Sequence, residues 1–215
     1  MRPSTPNSTP STTPTPTTRA DVSDLHTDAS SILTTWSPPD DDQARLRDAY
    51  LEHLHTYPDA MWRACRSGHL TSSAIIVDPI GQRVLLTLHP GVGQPGVGRW
   101  LQTGGHCEPI DPSLGAAALR EAREESGIPD VQIVGDPLRL DRHEVGCRAE
   151  TGERTRLDHL DVQWLAIAPA GAVPVRSAES ADLRWWPWDA LPTGAAGADR
   201  SVHDLITAAR IRLGH

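Results

Sequence analysis

The 215-residue chain contains no Lys and no Phe, and only nine of its 28 acidic residues are Glu. Codon bias explains the missing Lys and Phe most simply, so neither absence is read as mechanism. Other shortages exclude more. No apolar run reaches the roughly 18 residues that a membrane-spanning helix requires. The N-terminus lacks an apolar segment of the kind that marks a secretory signal. Three widely spaced cysteines do not make a disulfide framework, so a reducing, cytoplasmic setting is expected. All 20 basic residues are Arg, they form no cluster, and the net charge is −8. A nucleic-acid backbone demands dense positive charge, so neither nucleic acid nor membrane is an expected partner.

What is present divides the chain into three. Residues 1–20 are rich in Thr, Pro and Ser, cannot bury apolar surface, and are expected to be a disordered tail. Residues 21–66 are expected to be a helical extension. Leu46, Tyr50, Leu54 and Tyr57 recur at helical spacing behind an acidic start, and a short helix with Met61, Trp62 and Cys65 is expected after Pro58. Residues 67–215 carry the main domain. Strands are expected at 74–77, 83–88, 99–102, 131–143, 160–168 and 183–186, with a mobile Gly- and Pro-rich loop over 90–98. A helix is expected from Pro112 to Ser126, capped by Asp111 and stopped by Gly127, and a final helix over 200–213. This order lacks regular βα alternation and points to a mixed sheet between helices.

The sparse glutamates are concentrated. Glu121, Glu124 and Glu125 stand at i, i+3 and i+4, on one helical face. Like charges so placed repel by roughly 0.2–0.5 kcal/mol per pair. They also crowd the helix C-terminus, where the backbone dipole disfavours anions. A hard divalent cation relieves both penalties. Arg120, four residues before Glu124, can hold a carboxylate by a forked hydrogen bond. On six residues alone, a solvated charged face is the simpler reading; the flanks reverse it.

From Gly105 to Ile128 the chain resembles the Nudix box, G-x5-E-x7-R-E-U-x-E-E-x-G-U, where U is a bulky aliphatic residue. Gly105 matches the leading glycine, and Arg120, Glu121, Glu124, Glu125, Gly127 and Ile128 match the second half. Asp111 stands where the first glutamate belongs, eight residues rather than seven separate it from Arg120, and Ala122 is small for its place. The departures affect the loop, not the glutamate face.

The resemblance implies an α/β fold, a Nudix-type α/β/α sandwich with a central mixed β-sheet. It implies hydrolysis of a nucleoside diphosphate linked to another group, with Mg²⁺ or Mn²⁺ as cofactor. Glu121, Glu124, Glu125 and the Gly104 carbonyl would ligate metal, and Arg120 would orient the glutamates. Glu108 would reach the metal shell or hold the loop. Glu121, Glu125 or an acid from a later loop would take the proton of the attacking water. Trp100 and Gln102, just before the glycine pair, are candidate substrate contacts. The expected partner is a small phosphoanhydride; a homodimer is compatible with the reading.

Rival readings are a non-catalytic nucleotide sensor on this fold and an isomerase resembling isopentenyl diphosphate isomerase. A pure binder need not keep three repelling carboxylates, and the residues around Cys107 do not resemble the isomerase's cysteine motif. The proline or tyrosine that marks two hydrolase subtypes about 16 residues past Gly127 is replaced by His143, Glu144 and Val145. His89, His106, His143 and His159 could touch phosphate, and His106-Cys107 and His143-x3-Cys147 have spacing that could catch zinc, but packed or surface roles are favoured. Asp158 and Asp161 are read first as strand-edge charges.

Overall fold

A computed structural model describes residues 19–148 and 154–215, so residues 1–18 of the expected tail lie outside the described residues. Helix α1 spans Arg19–Thr35 and so begins two residues before the expected boundary. Helix α2 spans Asp41–Thr56; the Asp40 side chain accepts from the Gln43 amide and caps it. Among the described residues no helix is long and apolar enough to cross a membrane.

Seven strands follow: β1 (His69–Val77), β2 (Arg83–Gln94), β3 (Gly98–Leu101), β4 (Thr103–His106), β5 (Gln132–Arg148), β6 (Arg154–Ile167) and β7 (Asp182–Pro187). Helix α3 (Leu114–Ser126) lies between β4 and β5, and α4 (Arg200–Arg212) closes the chain. The sheet order is β3-β2-β1-β6-β5, with β4 beside β1 and β7 beside β2. Among the described residues only β1 and β6 pair in parallel, so the sheet is mixed, as expected.

Strand β1 is buried over its whole length, as befits a central strand with neighbours on both edges. Its two faces meet different layers. One face contributes Leu70, Ala74 and Ile76 to a core shared with Leu114, Ala117, Ala118 and Ala122 of α3 and with Leu25, Leu33, Tyr50 and Leu54 of the N-terminal helices. The other contributes Ile75 and Val77 to a second core under Val202, Leu205, Ile206 and Ala209 of α4. The N-terminal extension is therefore built into the domain's own core. Trp36 Nε1 donates to the Pro137 carbonyl at 2.7 Å, and the Gln43 amide exchanges two hydrogen bonds with the Leu140 backbone at 3.0 and 2.6 Å.

Several local expectations are corrected. The segment after Pro58 is a run of turns closed by three-residue hydrogen bonds, not a helix. The 90–98 segment is a hairpin: β2 continues to Gln94 and β3 begins at Gly98, with Gly93, Gly96 and Gly98 at positive φ taking the irregularity and the turn. Asp111 does not cap α3. Ser113 does, accepting from the Ala116 amide at 3.1 Å, which leaves Pro112 outside the helix. The Asp111 carboxylate is engaged elsewhere. Gly127, at φ 65°, ends the helix as expected.

Candidate active site

Strand alternation sets the site. Gly105 of β4 faces α3, so closely that a Cβ there would meet the Glu121 carboxylate at 2.4 Å. A Cβ on Gly104 would strike Ser73 of β1 at 2.3 Å on the other face. Two successive glycines are thus required for β4 to run between β1 and the glutamates. On the α3 side, small Ala117, Ala118 and Ala122 bring the helix down onto the sheet.

Arg120 is the hub of the carboxylate face. Its Nε and Nη2 grip Asp111 at 3.0 and 2.9 Å. Nη1 donates to Glu121 Oε1 at 2.8 Å and to Glu124 Oε2 at 3.2 Å. Nη2 also donates to the His106 carbonyl at 2.9 Å. Glu108 Oε1 lies 3.9 Å away, at the exposed rim. Asp111 further accepts from the Glu108 amide at 2.8 Å, which folds the loop. The fork expected to hold one glutamate instead grips Asp111, and a single outer nitrogen reaches both Glu121 and Glu124. The hydrogen bonds to Asp111, opposed by burial and aided by Glu121, hold the guanidinium charged more firmly than usual.

The glutamates differ in environment. Glu124 is largely exposed. Burial raises the Glu121 pKa, Arg120 opposes this, and Glu124 and Glu108 add to it. Glu125 is pushed up to about 8, first by burial, then by the charges of Glu121 and Glu179, with the Gly104 backbone amide pulling the other way. Its Oε2 is buried and has no hydrogen-bond partner among the described residues. Glu179, in the segment before β7, is thus an acid from a later loop whose charge reaches Glu125; in the sequence its run reads as a sheet edge.

Behind β4, on the other sheet face, lies a polar bed. Buried Asp161 accepts from Thr71 at 3.1 Å, Ser73 at 2.6 Å and Gln163 at 3.1 Å. Burial raises its pKa and the Ser73 and Gln163 hydrogen bonds oppose this. Gln102 donates to Ser73 at 3.4 Å, while its Oε1 and that of Gln163 are buried without partners. Trp100 packs in the core under α4, its ring edge-on to Trp186 at 5.3 Å, which leaves only 6% of its surface exposed. Asp158 pairs with Arg142 at 2.8 Å, in keeping with a strand-edge charge.

The same face holds a cluster that the sequence concealed. Parallel pairing puts His69 of β1 beside His159 of β6, and His106 ends β4 next to them. Ring centroids are 4.8 Å apart for His69–His159 and 5.0 Å for His69–His106 and His106–His159. His143, on β5, lies 5.7 Å from His159 and bonds Asp141 at 2.7 Å. Burial pushes His69 and His106 down to about 4 and His159 to about 2; neighbouring rings and Arg63 add to this. The Cys65 backbone offsets part of the His69 shift without forming a hydrogen bond of ordinary geometry. His106, His143 and His159 are candidates in the sequence, the first two near cysteines, but their convergence is not readable there, and His69 is not among them.

The mixed sheet and glutamate-bearing helix define a domain of the Nudix type. The chain belongs to the Nudix family: the model of the NUDIX domain matches residues 68–205, well over half of the sequence. The dihydroneopterin triphosphate pyrophosphohydrolase of E. coli is similar at 19% identity and TM-score 0.51, over 66% of this chain and 95% of its own. A NUDIX-family hydrolase from Clostridium perfringens is similar at 22% identity and TM-score 0.48, over 67% and 97%. An Ap4A hydrolase from C. elegans is similar at 17% identity and TM-score 0.49, over 67% and 97%. At these identities the likeness is one of fold. No curated protein matches the sequence.

Proposed function

We propose that the chain hydrolyses the pyrophosphate bond of a nucleoside diphosphate linked to another group, with Mg²⁺ or Mn²⁺ held by Glu121, Glu124, Glu125 and the Gly104 carbonyl. The observation that carries this reading is the buried, unpartnered Glu125 Oε2 beside Glu121 and Gly104. A buried carboxylate oxygen without a donor is costly, and all-oxygen donors suit a hard cation. When bound, such a cation neutralises phosphate charge and acidifies a bound water.

The chain's own groups do the rest. Arg120 fixes Glu121 and Glu124, and Asp111 fixes Arg120, so the acidic face is ordered before substrate arrives. Glu121, Glu125 and Glu179 are the candidate acceptors of the water proton. Glu108 stands at the rim, while Gln102, bonded to Ser73 behind β4, lies on the sheet face away from the glutamates. Trp100 contributes through packing, since its ring is held in the core.

The test is Mg²⁺-dependent release of phosphate or monophosphate from nucleoside triphosphates, nucleotide sugars, dinucleoside polyphosphates and coenzyme A. Turnover lost in Glu124→Gln supports the reading. No turnover on any of them, together with no metal binding at the glutamates, overturns it; nucleotide binding without turnover indicates the sensor.

A further inference from the structure

One group of metal-capable side chains converges among the described residues. His69, His106 and His159 each offer a ring nitrogen, and these three atoms lie within 4.8 Å of one another. Each ring is carried by a strand of the same sheet, so the arrangement is set by hydrogen-bonded register and not by a loose loop. Both nitrogens of His69 and Nε2 of His106 are buried and, among the described residues, form no hydrogen bond of ordinary geometry. His69 is fully buried. Leaving such a nitrogen unpaired costs about 1–3 kcal/mol.

Three explanations compete. Simple ring packing leaves those nitrogens unsatisfied. An anion such as phosphate needs protonated rings, and three crowded, largely buried imidazoles disfavour that charge. A transition-metal ion needs the opposite, neutral imidazoles with lone pairs turned inward. Tetrahedral zinc with bonds of about 2.0–2.1 Å places its nitrogens about 3.4 Å apart, within reach of small ring rotations.

We propose that His69, His106 and His159 form a three-histidine site for Zn²⁺ or a similar borderline transition-metal ion, with a fourth position open. Imidazole selects such ions over Mg²⁺, so this site and the glutamate face sort metals by ligand chemistry. His106 and His159 are partly exposed, which gives the fourth position access to solvent. The ion would pin β1, β4 and β6 together directly behind Gly104 and Gly105. The site does not depend on the proposed pyrophosphatase reading, because its ligands lie on the opposite sheet face from the glutamates.

The test titrates Zn²⁺ into chelator-treated full-length protein against a chromophoric chelator. The native chain and a Glu124→Gln, Glu125→Gln double variant should each bind one equivalent that excess Mg²⁺ does not displace. His69→Gln, His106→Gln and His159→Gln should each weaken it by at least about 100-fold. Co²⁺ in the native protein should give the intense visible bands of a four-coordinate nitrogen-rich site, a readout that needs no variant to fold. Absence of a bound equivalent, weak octahedral Co²⁺ bands, full Zn²⁺ affinity in all three histidine variants, or loss in the glutamate variant overturns the proposal.

Discussion

Strand β4 divides two clusters of opposite character. Toward α3, one guanidinium serves Asp111, Glu121, Glu124 and the more distant Glu108, while Glu125 stays buried without a donor on Oε2. Away from α3, three imidazoles share a pocket from which charge is expelled. His106 belongs to both sides: its carbonyl accepts from Arg120 and its ring joins the histidines. The contrast shows that one strand can separate a carboxylate cluster from an imidazole cluster simply by alternating side chains.

The largest expected effect removes function from the acidic side. Glu125→Gln should lower kcat by about 10²–10⁴-fold, the range for losing a positioned proton-transfer group, in the turnover assay. Arg120→Ala comes next. It leaves the nearly buried Asp111 carboxylate uncompensated, a loss of about 3–5 kcal/mol in denaturant unfolding. Lys should rescue it only in part, because an ammonium cannot reproduce the two-pronged grip. Gly105→Ala should cost about 1–3 kcal/mol, as overpacked sites do, and displace Glu121.

The pH dependence of stability is the most discriminating measurement. Unfolded, the Glu125 carboxyl would release its proton near 4.5; folded and metal-free, it holds it to about 8. Between those values the folded state binds more protons, so this contribution to stability falls as pH rises. The rings behave in reverse. Unfolded imidazole takes a proton near 6.5, whereas folded His69 and His106 resist to about 4. Their contribution is complete above 6.5 and is lost as pH falls toward 4. Melting curves with chelator should therefore decline on both sides. Glu125→Gln should flatten the alkaline decline and His69→Gln the acidic one; the same profile in both variants would break the contrast.

The acidic side is legible in the sequence because it is local. Glu121, Glu124 and Glu125 lie within five residues, and helical periodicity alone assembles them. The Asp111 departure marked the right place, yet its consequence was not readable: the Arg120 fork turns to Asp111, and Ser113 inherits the cap. The histidine side is non-local. Its members come from positions 69, 106 and 159, brought together by a parallel pairing and an antiparallel one whose register no short motif encodes. The polar run from His69 to Ser73 also disguised the start of β1, since its hydrophilic face meets Asp161 rather than solvent. The sheet class was nonetheless evident from the irregular order of strands and helices.

Gln43 has a consequence beyond α2. Strand β5 closes one side of the sheet, and its Leu140 backbone N–H and C=O, turned away from β6, are both taken by the Gln43 amide. A side chain thus imitates the next strand and ends the ladder there, while Trp36 occupies the Pro137 carbonyl just before it. The helical extension covers this edge of the sheet at Pro137 and Leu140, where another strand would otherwise find free backbone groups.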